Sequence, residues 1–415
     1  MKSIYFYLLG TVLVLAACTK SDTETPGPGA ATLLNSSEVS KTAVSEVGES
    51  KVSNPADWEK AFDAVRNMGA GWNLGNTLDP IRVGKMLKPS FYEKYWGQPI
   101  TRPEMFVTFK EAGFNAIRLP VSWGEKMNSS NVIMDEWMDR VEEVVNYILD
   151  AGMYCIINVH HDTGTDGWLH ADLSKYPENS VKFKAIWAQI AERFADYDYH
   201  LLFEGYNEIL DKDNHWNETD ADSYEAANRL NQDFVDVIRA SSSENNRNRN
   251  LIVNTYAASC TKKTLDSFVM PRDSVCRNRL IAEVHMYSPY NFALNEEKDA
   301  QGKKPSQYQY TKFDASGQQE IANNFSLLSS RFTYAGIPCI IGEYGAIVDK
   351  GNTDERVKHT QFMVRNATRK NMGHFFWMRL MEGRDRTDCK WTEPQIKDAI
   401  IDTYNELTSV RPIYE

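Results

Sequence analysis

MDEWMDRVEEVVNYILDAGMYCIINV, residues 134–159, holds the pattern that decides the fold. Trp137, Val141, Val144, Val145 and Ile148 recur at the three- and four-residue spacing of one helix face. Gly152 then supplies the residue that most readily ends a helix. Tyr154 to Val159 follows as a short apolar run bounded by polar residues, the pattern of a buried strand. The helix–glycine–strand order recurs at Glu111-Ala112-Gly113-Phe114 and Tyr334-Ala335-Gly336-Ile337.

Counting outward, eight apolar runs emerge: Gly71–Gly75, Ala116–Pro120, Tyr154–Val159, His200–Phe203, Leu251–Asn254, Leu280–His285, Pro338–Gly342 and His374–Trp377. Helical patterns lie between them, over 134–149, 181–195, 222–239, 318–334, 354–369 and 394–407. Eight strands alternating with helices predict an α/β fold, a (β/α)8 TIM barrel in a single catalytic domain over 55–415. An open doubly wound sheet is the alternative, but no Gly-rich phosphate loop follows the first strand.

The first residues read as a processing signal. Lys2 precedes an apolar stretch, Ile4 to Ala17, that is too short for a stable span. It ends in Leu15-Ala16-Ala17-Cys18, which resembles a lipoprotein signal, so residues 1–17 are expected to be removed and Cys18 acylated. A plain secretory signal with an incidental cysteine is the alternative. The acidic stretch after Cys18 is similar to the export tag of surface lipoproteins. Residues 18–54, rich in Ser, Thr, Glu, Gly and Pro, cannot bury enough surface to fold and read as a flexible tether. Asn54-Pro55-Ala56-Asp57 resembles a helix start. These features predict an outer-membrane lipoprotein facing the cell surface, with the periplasmic face as the alternative. Of the other five cysteines, Cys155 and Cys339 read as core thiols. Cys260 and Cys276 could pair, and no CxxC metal spacing occurs. A net charge of −11 speaks against nucleic acid as a partner.

A barrel places its reactive residues at the C-terminal ends of the strands, on one face. The strand ends here carry Asn76, Arg118, His160 and His161, Asn207 and Glu208, His285 and Tyr287, Glu343, and Trp377. Two carboxylates on one rim are what glycosidic-bond hydrolysis requires, one to donate a proton and one to attack or activate water.

Gly71-Trp72-Asn73-Leu74-Gly75-Asn76-Thr77-Leu78-Asp79, Ile117-Arg118-Leu119-Pro120-Val121-Ser122-Trp123, Val159-His160-His161-Asp162, Phe203-Glu204-Gly205-Tyr206-Asn207-Glu208, His285-Met286-Tyr287, Ile341-Gly342-Glu343-Tyr344-Gly345 and Trp377 together resemble glycoside hydrolase family 5. The resemblance implies a retaining enzyme with Glu208 as acid/base and Glu343 as nucleophile. The strand count independently makes these fourth and seventh. Arg118 would favour an ionised Glu343 and Tyr287 would orient it, while the Glu343 charge would keep Glu208 protonated. Asn207 suits the sugar 2-hydroxyl. Asn76, His160, His161 and His285 would bind hydroxyls or hold the carboxylates, and Trp377 offers a flat face beneath the sugar. Trp96, Trp123 and Trp168 are further stacking candidates. Glu204, four residues before Glu208, reads as structural and paired with a base inside the barrel.

For His160-His161 a metal site is the other reading, but strand alternation would point the two rings to opposite faces, so no metal and no cofactor are expected. After Trp377 the sequence Met378 to Arg386 departs from the polar pair seen in many relatives, which leaves the last loop open. The expected function is endo-acting hydrolysis of β-1,4-glucosidic bonds with retention, on cellulose, mixed-linkage glucan or xyloglucan. The alternatives are an endo-β-1,4-mannanase and a glycan-binding surface lipoprotein without turnover. Expected partners are the glucan substrate, the membrane through the lipid anchor, and components of a polysaccharide-uptake system. Retention predicts carboxyl groups about 5–5.5 Å apart, against roughly 6.5–9.5 Å for inversion.

Overall fold

The computed structural model describes residues 58–295, 312–348, 351–377 and 379–409. These lie within one compact unit, Ser53–Glu415. The signal, the tether, Cys18 and the helix start at 54–57 fall outside the described residues.

Each apolar run becomes one strand: β1 (Ala70–Asn73), β2 (Ala116–Leu119), β3 (Tyr154–Asn158), β4 (Leu201–Glu204), β5 (Leu251–Asn254), β6 (Leu280–Met286), β7 (Cys339–Tyr344) and β8 (Gly373–Phe376). All neighbours are parallel, and β8 pairs back to β1, so the sheet closes in sequence order. Helices Pro103–Ala112, Asp135–Asp150, Tyr176–Arg193, Ala221–Arg239, Ala315–Arg331, Thr353–Arg369 and Pro394–Ser409 alternate with the strands. The third of these begins five residues earlier than its apolar spacing suggests, because Pro177 is tolerated in a first helical turn. Another starts at Ala315 because the Asp314 side chain accepts from Gly317 N–H and caps it. Between β5 and β6, where no amphipathic run occurs, the longest helix is Lys262–Ser267, of six residues.

Side chains two apart on a strand share a face. Inward positions low in the barrel are apolar: Ile156, Leu202, Ile252, Ile281, Ile340 and Phe375 pack together, and Ala61, Val65 and Met68 of the helix Ala61–Met68 close them off. Each large aliphatic buried there contributes roughly 1.5–3 kcal/mol. Two residues further along β2 to β6 the inward positions turn polar: Arg118, Asn158, Glu204, Asn254 and Glu283, each with 0% exposure. The lumen therefore changes from hydrocarbon to charge as it approaches its C-terminal mouth.

The cysteines described are all free, so Cys260 and Cys276 do not pair, and Cys155 and Cys339 are buried. At the other end of the barrel, Arg249 is fully buried and donates to the carbonyls of Phe194, Tyr197, Asp198 and Leu201. These groups follow the helix Tyr176–Arg193 and lead into β4. Arg249→Met would strand them, and should lower the unfolding free energy by more than about 3 kcal/mol. Chemical denaturation measures this, and an unchanged midpoint would contradict the assigned role.

Candidate active site

Arg118 is the centre of the mouth. Its Nε and Nη2 fork onto Glu204 at 2.6 and 2.8 Å. Nη1 donates to Glu343 Oε1 at 2.8 Å and to Asn73 Oδ1 at 2.9 Å, and Nη2 also donates to Asn207 Oδ1 at 2.8 Å. Burial works against the cation, but Glu204, Glu283 and Glu343 outweigh it and raise Arg118 well above its ordinary value. Asn207 thus has its oxygen committed to Arg118. Glu204 pairs inside the barrel, as its depth in the strand implies. Asn73 was not a sequence candidate, although as the last residue of β1 it occupies a strand end like the others.

Glu343 owes its position to a defect in the sheet. Strict alternation after inward Ile340 would turn Glu343 outward. Instead the β6–β7 register slips beside Val284 and His285, and Glu343 lies opposite His285. A bulge of this kind re-aims a side chain. Glu343 Oε2 accepts from the Tyr287 hydroxyl at 2.8 Å. Burial raises the Glu343 carboxyl above its ordinary value, with His285, Arg118 and Tyr287 opposing the shift. Burial and the Glu343 charge keep the Tyr287 phenol protonated, so it remains a donor.

Glu208, beyond β4, meets a different neighbour. His285 Nδ1 lies 2.7 Å from Glu208 Oε1 and 3.6 Å from Glu343 Oε2. Burial would lower His285, but Glu343, the Glu208 bond and Glu283 push it up to about 10. The His285 imidazole is thus shared between the two carboxylates, a neighbour of Glu208 that the sequence reading of its proton did not include. One oxygen of Glu208 and one of Glu343 lie within 4.8 Å of each other. That closeness fits the pair of carboxyl groups about 5–5.5 Å apart that retaining glycosidases use.

The remaining candidates divide. His160 accepts from Asn158 Nδ2 on Nδ1 at 3.0 Å, which leaves the proton on Nε2. Burial, then His161, Arg118 and His285, hold it neutral. Its ring is parallel to Trp377, with centroids 5.6 Å apart. Trp377 is half-buried over Gly75, where an added Cβ would come within 2.6 Å of the indole. His161 lies 3.5 Å from Asp79 and edge-on to Trp96. The prediction that the His160 and His161 rings diverge is overturned. Their centroids are 4.5 Å apart, because β3 ends at Asn158 and pleat alternation no longer applies. With Asp79 they form one of two groups among the described residues whose geometry could hold a metal ion; the other is Glu208, His285 and Glu343. Asn76 adopts φ 58°, and its N–H donates to Asp79.

Trp123 is not a stacking platform. It is completely buried, with its indole N–H on the Asn158 carbonyl. Trp168 is half-buried, bonded to Asp162 and covered by Lys182 Nζ at 3.8 Å. The loop after Trp377 turns out to be stapled to the first loop: buried Arg386 donates to Thr77 Oγ1 and the Gly75 carbonyl.

Residues 81–380 match the cellulase family, glycosyl hydrolase family 5. The chain belongs to this family. It is 35% identical over 363 residues to endoglucanase B of Ruminococcus albus, covering 85% of this chain and 83% of that protein. It is 32% identical over 323 residues to a xyloglucan-specific endo-β-1,4-glucanase of Bacteroides ovatus, covering 75% and 63%. Among solved structures, a family 5 enzyme of Prevotella bryantii in complex with a xyloglucan tetradecasaccharide superposes with a TM-score of 0.77 at 40% identity. That match covers 84% of this chain and 99% of the other.

If Glu343 must be ionised to act, kcat/KM falls as pH drops through its raised value. The acid limb should therefore lie above pH 4.5, the ordinary value for a glutamate. Tyr287→Phe removes one bond to the carboxylate and should move that limb higher still, with kcat reduced by about tenfold or more. A limb below pH 4.5, or one unmoved by Tyr287→Phe, would contradict this.

Proposed function

We propose that this family 5 protein is a retaining endo-β-1,4-glucanase in which Glu343 attacks and Glu208 serves as acid and then base. The observation that carries the reading is the closeness of two carboxylates with opposite surroundings. Glu343 is buried, held from both oxygens by Arg118 and Tyr287. Glu208 is more exposed, with 22% of its side chain open, and is bonded to His285.

In the first step a Glu343 oxygen bonds to the anomeric carbon while the glycosidic carbon–oxygen bond breaks. The proton on Glu208 passes to the departing oxygen. The sugar becomes an ester of Glu343, whose charge is lost. Glu208, now a carboxylate, takes a proton from water as the water oxygen attacks the same carbon and expels Glu343. Two inversions give net retention. Asn207, through its amide, would meet the 2-hydroxyl, His160 would donate from Nε2, and Trp377 would lie against the sugar face.

The names of the relatives favour a glucan backbone over the mannan alternative, and xyloglucan and mixed-linkage glucan are the substrates we propose. A lipid anchor at Cys18 would hold the enzyme at the outer membrane by a tether, close to whatever imports the oligosaccharides. This part rests on the sequence from Lys2 to residue 54.

Glu343→Ala should abolish hydrolysis of an aryl β-cellobioside, and azide should restore part of it; near-normal activity of the variant would overturn the mechanism. Incubation with xyloglucan, barley glucan, carboxymethyl-cellulose and glucomannan, followed by product sizing, tests substrate class. Rapid mid-chain cleavage of the first two is expected, while action confined to glucomannan would restore the mannanase reading. No loss of viscosity on any of them would favour a binding protein. Cys18→Ala should release the full chain from membranes, and continued anchoring would remove the lipoprotein proposal.

A further inference from the structure

Glu283 has no part in the chemistry above, yet it is a fully buried carboxylate two residues before His285, on the same face of β6. Among the described residues no donor reaches hydrogen-bond geometry with either of its oxygens, and His285 Nε2 is likewise unmatched. The two unmatched groups face each other, with Nε2 3.4 Å from Glu283 Oε1. Arg118 Nε is 3.3 Å from the same oxygen, but its N–H is directed to Glu204 at 2.6 Å. The opposite wall is cut back for this side chain. A Cβ on Gly342 would fall 1.5 Å from Glu283 Oε1, so only glycine leaves room there.

A carboxylate isolated in the interior costs several kcal/mol unless cations answer it. The available answers are Arg118, already shared among three glutamates, and His285. We propose that Glu283 is a positioning residue that holds a proton on the His285–Glu208 pair and so sets the alkaline limit of catalysis. It acts through His285, without touching substrate, and the proposal rests on Glu208 being the acid/base.

His285 Nδ1 and Glu208 Oε1, 2.7 Å apart, can pass one proton between them. The pair then exists as imidazole with carboxylic acid or as imidazolium with carboxylate. A fixed negative charge at Nε2 favours the pair being protonated in either form. The groups facing His285 are Glu283 on its own strand, Glu343 from β7, Glu208 from beyond β4, Arg118 from β2 and neutral His160 from beyond β3. The glutamates favour the proton and Arg118 opposes it. When Glu343 becomes an ester its charge disappears, and of the buried carboxylates facing His285 Glu283 is the one left to favour the proton through both steps. It would keep the ring charged while Glu208 acts as base.

Glu283→Gln keeps the shape and removes the charge. In this variant the alkaline limb of kcat/KM on an aryl β-cellobioside should move down by about one pH unit or more. Glu283→Asp, which keeps the charge, should restore it toward wild type. Equal losses at every pH with an unmoved limb would mean a structural role only and overturn the proposal. In wild type, 15N NMR of the His285 ring read together with 13C NMR of the Glu208 carboxyl should show the pair still holding its proton at pH 8, and a neutral ring beside a Glu208 carboxylate would overturn the proposal without any variant. Because the ring is read without turnover, its failure is distinct from a failure of the Glu208 assignment.

Discussion

A guanidinium with no exposure to solvent, Arg118, ties four strands of the barrel at its mouth. It reaches Asn73 at the end of β1, Glu204 on β4, Asn207 just beyond β4, and Glu343 on β7. A buried cation is tolerable only when its donors are met by good geometry, and removing one member of such a cluster commonly costs about 3–5 kcal/mol. The same bonds that satisfy this demand fix the carboxylate proposed to attack and the amide proposed to read the 2-hydroxyl. Stability and chemistry are therefore coupled at one residue.

The proposed division of labour between Glu208 and Glu343 rests on where each carboxylate stands relative to that cation. Glu343 shares Arg118 and Tyr287 and is brought inward by the β6–β7 register slip. Glu208 lies beyond the reach described for Arg118 and answers to His285. Two carboxyl groups in one site thus have different hydrogen-bond partners, the asymmetry on which the proposed double displacement rests. Gly342 serves this arrangement twice, at the register slip and in giving Glu283 its space.

The barrel was legible because each strand announces itself as a short apolar run and several helices end at glycine. The rim was legible because a barrel presents strand ends on one face, which brought Arg118, His160, Asn207, Glu208, His285, Tyr287, Glu343 and Trp377 together. What could not be read lies across the barrel or beyond the pleat. Trp123 follows β2 as an exposed platform would, but its burial depends on the neighbouring loop. His160 and His161 converge because β3 stops before them. Glu283 and Asn158 look like ordinary strand residues until inward positions are counted in twos from Ile281 and Ile156. Arg386, 309 residues from the Thr77 it clamps, has no local signature at all.

The central claim is that Glu343 forms the covalent bond to sugar. Incubation with a 2-deoxy-2-fluoro-β-cellobioside bearing a good leaving group, followed by mass spectrometry of the peptides, tests it directly. A single added 2-deoxy-2-fluorocellobiosyl unit is expected on the peptide carrying Glu343, removed when turnover resumes. An adduct on Glu208 or Glu283 would contradict it, as would hydrolysis that inverts the anomeric centre.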